Sequence, residues 1–114
     1  METKAAVAQL SALAQEARLS VFRLLVRAGH GGLPAGEIAA TLGIVQNTLS
    51  AQLTVLSQAG LVRSERRGRS IIYFASYETI SQLIIYLMED CCQGRSEIRE
   101  PVLTATSNAS CCGT

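Results

Sequence analysis

The most informative part of the sequence is residues 36–76. It contains two short segments with an apolar pattern, separated by a glycine, and then two strand-like segments joined by an arginine-rich turn. The first segment, 35–42, is apolar at helical spacing, and Gly43 interrupts it. Segment 45–59 has apolar residues at i, i+4, i+8 and i+11, and Gly60 follows as a C-cap. The sequence therefore predicts two consecutive helices that dock on one core. Their predicted core residues are Ile38, Ala39, Leu42, Val45, Leu49, Leu53 and Leu56.

The stretch after these helices predicts a β-hairpin. Segments 61–66 and 70–74 have strand-like composition and are joined around Arg67-Gly68-Arg69, where Gly68 tolerates the positive φ of a tight turn. Two short helices followed by a hairpin have the layout of a winged helix-turn-helix. The predicted fold class is therefore mainly α with a small β-hairpin.

The rest of the chain predicts three further helices, at 5–13, 16–28 and 78–92, with Pro34 in the first turn of helix 35–42. Helix 78–92 is apolar on nearly every side, so it needs cover from more than one direction. In a chain this small, a second subunit is the expected cover. We therefore predict a dimeric domain over 1–92, for DNA binding and dimerisation, and a flexible tail over 93–114.

The length of the chain and the distribution of its charge indicate a small protein of one domain with a basic DNA-binding region. A chain of 114 residues fits one domain, and it shows neither a transmembrane segment nor a secretory signal, which predicts a cytoplasmic location with no membrane partner. The net charge is only +1, but between Ile38 and Tyr77 four arginines face the single acid Glu65, a local net of +3. Positive charge is thus concentrated in the part expected to meet DNA.

The predicted DNA interface combines an uncharged helix face with arginines. Small polar side chains of helix 45–59 can lie against base edges, and Asn or Gln can pair with adenine. Arginines of the hairpin would reach phosphates or the minor groove. The alternative for both sets is an ordinary solvated surface. The candidate DNA-binding residues are Gln46, Asn47, Thr48, Ser50, Gln52, Arg63, Arg66, Arg67 and Arg69.

The cysteines occur only as two adjacent pairs, Cys91-Cys92 and Cys111-Cys112. Trivalent arsenic or antimony is a soft centre that binds two or three thiolates without a nitrogen ligand. Zinc fits this spacing poorly, and the single histidine, His30, lies in a distant loop. We predict that all four cysteines are candidate ligands, with arsenite bridged by the first pair and one tail cysteine. With the first pair alone, methylarsenite would fit better. The alternatives are buried packing for the first pair and idle terminal thiols for the second.

Several stretches resemble the ArsR/SmtB family of metalloregulatory repressors: 42–53, 59–62, 13–19 and 67–73, within about residues 8–92. The resemblance implies a homodimer built on the first and last helices that binds an imperfect palindrome and is released by ligand. The pair Cys91-Cys92 resembles that of an arsenic-responsive subgroup with cysteines at the end of the last helix.

The chain also departs from the family pattern. Family members often have Arg-His where this chain has Ala51-Gln52, segment 33–37 has no thiol, and 77–89 has no His or Asp. Members of the arsenic-responsive subgroup usually have a third cysteine a few residues further on, where this chain has Glu97-Ile98, so the resemblance implies a third thiolate from Cys111 or Cys112.

Three functions are compatible with these features. The first is a repressor released by trivalent arsenic, which acts as inducer rather than as a permanent cofactor. The second is a repressor of the same fold that senses oxidants or reactive sulfur through a cysteine pair. The third, a small thiol metal carrier or reductase, is disfavoured because the chain has no GxGxxG and no C-x-x-C motif. No catalytic residues are predicted, and the chain is not expected to be an enzyme.

Overall fold

The computed structural model describes residues 2–92 and forms a winged helix-turn-helix, as the sequence predicts. Helices α3 and α4 are the helix-turn-helix, and strands β2 and β3 are the wing. The helices are α1 (Thr3–Leu13), α2 (Glu16–Ala28), α3 (Ala35–Leu42), α4 (Gln46–Gln58) and α5 (Tyr77–Cys92). The strands are β1 (Leu33–Pro34), β2 (Val62–Arg67) and β3 (Ser70–Ala75), and a 3₁₀ turn (Gly29–Gly31) joins α2 to β1.

The wing belongs to a three-stranded antiparallel sheet in the order β1-β3-β2, not to an isolated hairpin. Strand β1 pairs Leu33 with Tyr73 and Pro34 with Ile72. Pro34 therefore lies in an edge strand and caps α3 with an extended backbone, instead of occupying the first helical turn as predicted. An edge position suits proline, because it has no N–H to donate to a neighbouring strand.

Two predicted details of α4 are also corrected. Val45 is the N-cap residue, with an extended backbone, and its side chain is 71% exposed rather than part of the buried stripe. At the other end Ala59 is the C-cap, and Gly60 follows it with a φ of +79°. The helix therefore starts one residue later than predicted. The positive φ that ends it falls just outside the cap, where glycine is favoured.

The core lies where α2, α3 and α4 meet the base of the wing. Its fully buried side chains come from all of these elements, and burial of apolar surface is the main stabilising contribution of such a cluster. In α4 the predicted stripe is buried apart from Val45. In α3 Ile38 and Ala39 are buried and Leu42 is half-buried. The largest fully buried side chains are Val21, Leu25, Ile38, Leu49, Leu56, Leu61 and Leu83.

Helices α1 and α5 carry apolar side chains that the described chain leaves uncovered. Helix α1 turns Ala6, Gln9 and Ala12 inward, so that Val7 is 58% exposed. Ile85 of α5 is 57% exposed, and the exposed set also includes Leu10, Ile84 and Leu87. A hydrogen bond between the hydroxyls of Thr3 and Tyr86 joins the two helices. None of the helices within residues 2–92 is both long enough and apolar enough to span a membrane.

Candidate nucleic-acid interface

Helix α4 presents one polar, uncharged face outward. Leu49, Leu53 and Leu56 hold the opposite face in the core, so the orientation of α4 is set by its apolar stripe. The helix interior contains no ionisable side chain. The exposed residues of α4 include Asn47, Ser50, Ala51, Thr54 and Gln58. The small size of most of them leaves the helix axis accessible to close approach by a base-pair edge.

The five candidate DNA-binding residues of α4 do not share one environment. Gln46, Asn47, Thr48 and Ser50 are exposed, and the Ser50 carbonyl accepts a hydrogen bond of 2.9 Å from the Thr54 hydroxyl. Gln52 is only half-exposed, and its Oε1 accepts a hydrogen bond of 3.1 Å from Nη1 of Arg18. Four of the five are thus open to a partner, and the fifth already has one within the protein.

The wing arginines fall on opposite faces of the sheet. The register pairs Arg63 with Phe74, Ser64 with Tyr73 and Arg66 with Ile71. Because side chains alternate along a strand, Ser64 and Arg66 share the face toward α4, whereas Arg63 and Arg67 lie on the reverse face. There both guanidinium groups lie over the Phe74 ring, at 4.9 Å and 5.4 Å from its centroid. The strand arginines predicted to bind DNA are therefore divided between the two faces of the sheet.

The tip of the wing is the two-residue turn Gly68-Arg69, where Gly68 has a φ of +62°. Nε of Arg66 donates a hydrogen bond of 3.3 Å to the Gly68 carbonyl, which holds Arg66 along the turn. Arg67 forms an exposed ion pair with Glu65 at 3.4 Å, an interaction worth little in water. Arg69 is exposed in the turn itself, at the tip of the hairpin.

A groove of about 400 Å³ separates α4 from the wing. Its walls are rich in hydroxyl groups, which can donate hydrogen bonds to phosphate oxygens without adding charge. The lining residues are Ser50, Leu53, Thr54, Ser57, Gln58, Ser64 and Tyr73. Ser57, Ser64 and Tyr73 were not among the sequence candidates. Strand alternation would have placed Ser64 and Tyr73 on one face, but only the fold brings that face to α4.

Known proteins are similar to this chain in sequence and in fold. A family model described as a helix-turn-helix domain matches residues 13–65. The transcriptional regulator NmtR of Mycobacterium tuberculosis is 41% identical over 76 residues, which cover 66% of this chain and 60% of that protein. The crystal structure of the transcriptional repressor BigR from Xylella fastidiosa is 32% identical, covering 75% of this chain and 85% of that chain at a TM-score of 0.58. The chain belongs to the ArsR/SmtB-like family of winged helix-turn-helix transcriptional regulators.

A third relative bears on assembly. The solution structure of Mb0332 from Mycobacterium bovis is described as a homodimeric winged helix-turn-helix domain of a possible ArsR-family regulator. It is 26% identical to this ArsR/SmtB-like regulator, covering 82% of this chain and 84% of that chain at a TM-score of 0.62. The alignment with NmtR, by contrast, reaches about three fifths of that protein's own length.

The cysteines of this ArsR/SmtB-like regulator lie at and beyond the end of α5. Cys91 and Cys92 are the last two residues of the helix. Cys111 and Cys112 lie outside the described residues. Among the side chains that the structure describes, no three His, Cys, Asp or Glu residues gather around a common point. The backbone thus puts the first pair in the final turn of α5, on the helix with uncovered apolar residues.

A second cavity, also about 400 Å³, lies on the reverse face of the wing. Arg63 and Phe74 form one side, and His30, Tyr77 and Glu78 are on the others. The His30 and Tyr77 rings meet edge to face with centroids 5.3 Å apart, and the Tyr77 hydroxyl donates a 3.0 Å hydrogen bond to the Val26 carbonyl. His30 is an exposed loop residue in aromatic contact, distant in sequence from every cysteine.

Proposed function

We propose that this protein is a homodimeric transcriptional repressor that binds palindromic operator DNA through α4 and the wing. The observation that carries the proposal is the juxtaposition of an exposed, uncharged polar helix face and an arginine-tipped wing across a hydroxyl-lined groove. In this arrangement α4 would occupy the major groove, the groove hydroxyls would meet the sugar-phosphate backbone, and Arg66 and Arg69 would reach adjacent phosphates. This role is supported by the similarity to BigR, which is described as a transcriptional repressor.

Dimerisation through α1 and α5 would complete the interface. A second copy packed on Val7 and Ile85 would remove exposed apolar surface from water, the dominant favourable contribution in most protein association. Two copies related by a two-fold axis would place their α4 helices in half-sites about 34–36 Å apart. The homodimeric state described for Mb0332 supports this assembly.

The proposed inducer is trivalent arsenic, as arsenite or methylarsenite, or the chemically similar trivalent antimony of antimonite. The donor chemistry favours it, because Cys91 and Cys92 are adjacent soft ligands and 77–89 offers no His or Asp. Neutral arsenous acid would exchange its three hydroxyl groups for three cysteine thiols, whose protons leave with the hydroxyl groups as three waters, with no change in oxidation state. The third thiolate would come from Cys111 or Cys112, of the same or the other subunit.

The site suggests how binding would release DNA. Cys91 and Cys92 end the helix that we assign to the dimer surface, so drawing the tail onto them would change the contacts of α5. A small change in the relative orientation of two reading helices spoils one half-site, since half-site spacing is fixed by the DNA. A coupling of about 1–3 kcal/mol would give about 5–150-fold release.

Fluorescence anisotropy with DNA from the protein's own promoter tests the proposal. We expect reduced wild-type protein to bind tightly and arsenite to weaken binding about 5–150-fold. Cys91→Ser should bind DNA equally well and lose the arsenite response. Arsenate, which does not bind thiolates directly, serves as the matched control.

Each other outcome has a distinct meaning. Absence of DNA binding would contradict the proposed repressor function. Binding that arsenite leaves unchanged would contradict only the arsenic assignment. Release by peroxide or persulfide without arsenic would identify a redox or reactive-sulfur sensor instead. Comparison of Cys111→Ser with Cys112→Ser would identify the third ligand.

Replacement of the wing-tip arginine is expected to reduce the salt dependence of DNA binding. If Arg69 contacts one phosphate per subunit, Arg69→Ala should lower the slope of log Kd against log salt by about 2 in the dimer. Arg27→Ala, an exposed arginine in the last turn of α2, is the control. An unchanged slope for Arg69→Ala would place the wing tip away from the DNA backbone.

A further inference from the structure

Arg18 joins three helices through hydrogen bonds from one side chain. Its Nε donates to the carbonyl of Ala12 in α1 at 2.6 Å, and its Nη1 donates to Oε1 of Gln52 in α4 at 3.1 Å. Its backbone N–H donates to the Gln15 side chain at 3.0 Å, which caps the start of α2. The side chain is half-buried, at the junction of the three helices.

The geometry of the guanidinium makes this a rigid connection. The Ala12 carbonyl is among the last four of α1, and those carbonyls have no partner within their own helix. A guanidinium holds its donors in a planar fork, so the positions of its two acceptors are fixed relative to each other. The end of α1 is therefore linked to the middle of α4 through one rigid group.

A cleft open to solvent lies between α1 and α4 near this point. A cavity of about 300 Å³ lies beside Arg18, lined mostly by small or flexible side chains. Its other lining residues are Ala8, Ser11, Ala12, Val55, Gln58 and Ala59. Below the cleft the two helices still pack on each other, since Ala12 of α1 belongs to the same buried cluster as Leu53 and Leu56 of α4. The hydrogen bonds of Arg18 add a directional link between α1 and α4 to this packing.

We propose that Arg18 is a positioning residue for α4 and that it makes the orientation of α4 follow that of α1. The proposal deepens the proposed function and rests on it, because α1 would lie in the dimer interface and α4 on the DNA. Displacement of α1 within the dimer would move the Ala12 carbonyl, and through Arg18 and Gln52 it would tilt α4. Gln52 then acts by holding α4 in place, a role distinct from the base contact that the sequence predicts for it.

A double-mutant cycle on operator affinity tests this role. Arg18→Met and Gln52→Met keep most of the side-chain length and remove the hydrogen bond from either side. We expect each to weaken DNA binding about 10-fold, and the double variant to lose no more than either one, because both break the same link. Arg18→Lys, which retains one donor, should recover part of the affinity. Arg23→Met, an exposed arginine of the same helix, should have little effect.

The salt dependence separates positioning from direct DNA contact. A positioning Arg18 neutralises no phosphate, so Arg18→Met should leave the slope of log Kd against log salt unchanged. A reduced slope would make Arg18 a phosphate ligand and overturn the proposal. Additive losses in the double variant would also overturn it, since they would show that Gln52 binds DNA independently of Arg18.

Hydrogen exchange without DNA tests the structural link from Arg18 to α4 separately from operator binding. Backbone amides of residues 46–58 should exchange faster in Arg18→Met than in wild type or Arg23→Met, at equal global stability. If wild-type protein binds no DNA, the proposed function fails while this measurement still reports the link. If Arg18→Met does not fold, Gln52→Met tests the same link from α4. Unchanged exchange in the folded variant would show that Arg18 does not position α4.

Discussion

Replacing Ile85 with aspartate is expected to convert the protein to a monomer and to lower its affinity for operator DNA by at least about 100-fold. Ile85 is 57% exposed on α5, next to the exposed Ile84. In the proposed dimer a carboxylate at this position would lose its hydration without gaining a partner. Each monomer would then bind a single half-site, without the avidity that a second linked reading head provides, about 10²–10⁴-fold.

Analytical ultracentrifugation would measure the oligomeric state of Ile85→Asp. Fluorescence anisotropy would measure its affinity for operator DNA. Leu19→Asp is the matched control, since Leu19 is 43% exposed but lies on α2. We expect Leu19→Asp to stay dimeric and to bind DNA like wild type. A dimeric Ile85→Asp with normal affinity would show that α5 does not form the interface.

The sequence predicts most of the fold because strong local signals mark its elements. The bounds of α2 and α3 agree with the predicted 16–28 and 35–42, since an apolar helical pattern ends at a glycine in both. Gly43 has a φ of +68°, in the left-handed region that ends a helix. The hairpin is also confirmed, with its turn at Gly68.

Other features could not be predicted because they depend on tertiary contacts. Strand β1 has two residues, too few to show any periodicity, and it exists only because β3 pairs with it. The inward face of α1 is set by small residues, Ala6 and Ala12, while the larger Val7 points outward. The bond between Arg18 and Gln52 joins residues 34 apart in sequence. No local pattern marks such a pair.

The wing arginines lie on two faces of the sheet because side chains alternate along a strand, and this could have been predicted from the sequence. Arg63 and Arg67 are four positions apart, an even number, and Arg66 is an odd number of positions from both. Period-two alternation alone puts them on different faces. We therefore expect Arg66 and Arg69 to contribute more to DNA binding than Arg63 and Arg67, whose guanidinium groups already lie on Phe74.

Replacing Gly32 with alanine is expected to lower the free energy of unfolding by about 4 kcal/mol, a large part of the 5–15 kcal/mol typical of a small domain. Gly32 has φ +65° and ψ −173°, a conformation that is essentially restricted to glycine. A Cβ there would lie 2.6 Å from the Tyr73 carbonyl oxygen and 2.8 Å from Cδ1 of Phe74. Because the carbonyl belongs to β3, relief of the collision would push β1 away from the wing.

Alanine substitutions at two neighbouring glycines distinguish the destabilisation caused by backbone strain from that caused by the steric collision. Thermal unfolding measures both. Gly29→Ala meets the strain alone, since its φ is +76° and, within residues 2–92 and apart from its chain neighbours, no atom lies within 4 Å of the added Cβ. Gly31→Ala meets neither strain nor collision and should be nearly neutral. The expected order of destabilisation is Gly31→Ala, then Gly29→Ala, then Gly32→Ala. Equal effects at Gly29 and Gly32 would show that the β1–β3 approach yields easily. In that case the wing would not depend on this junction for its position beside α4.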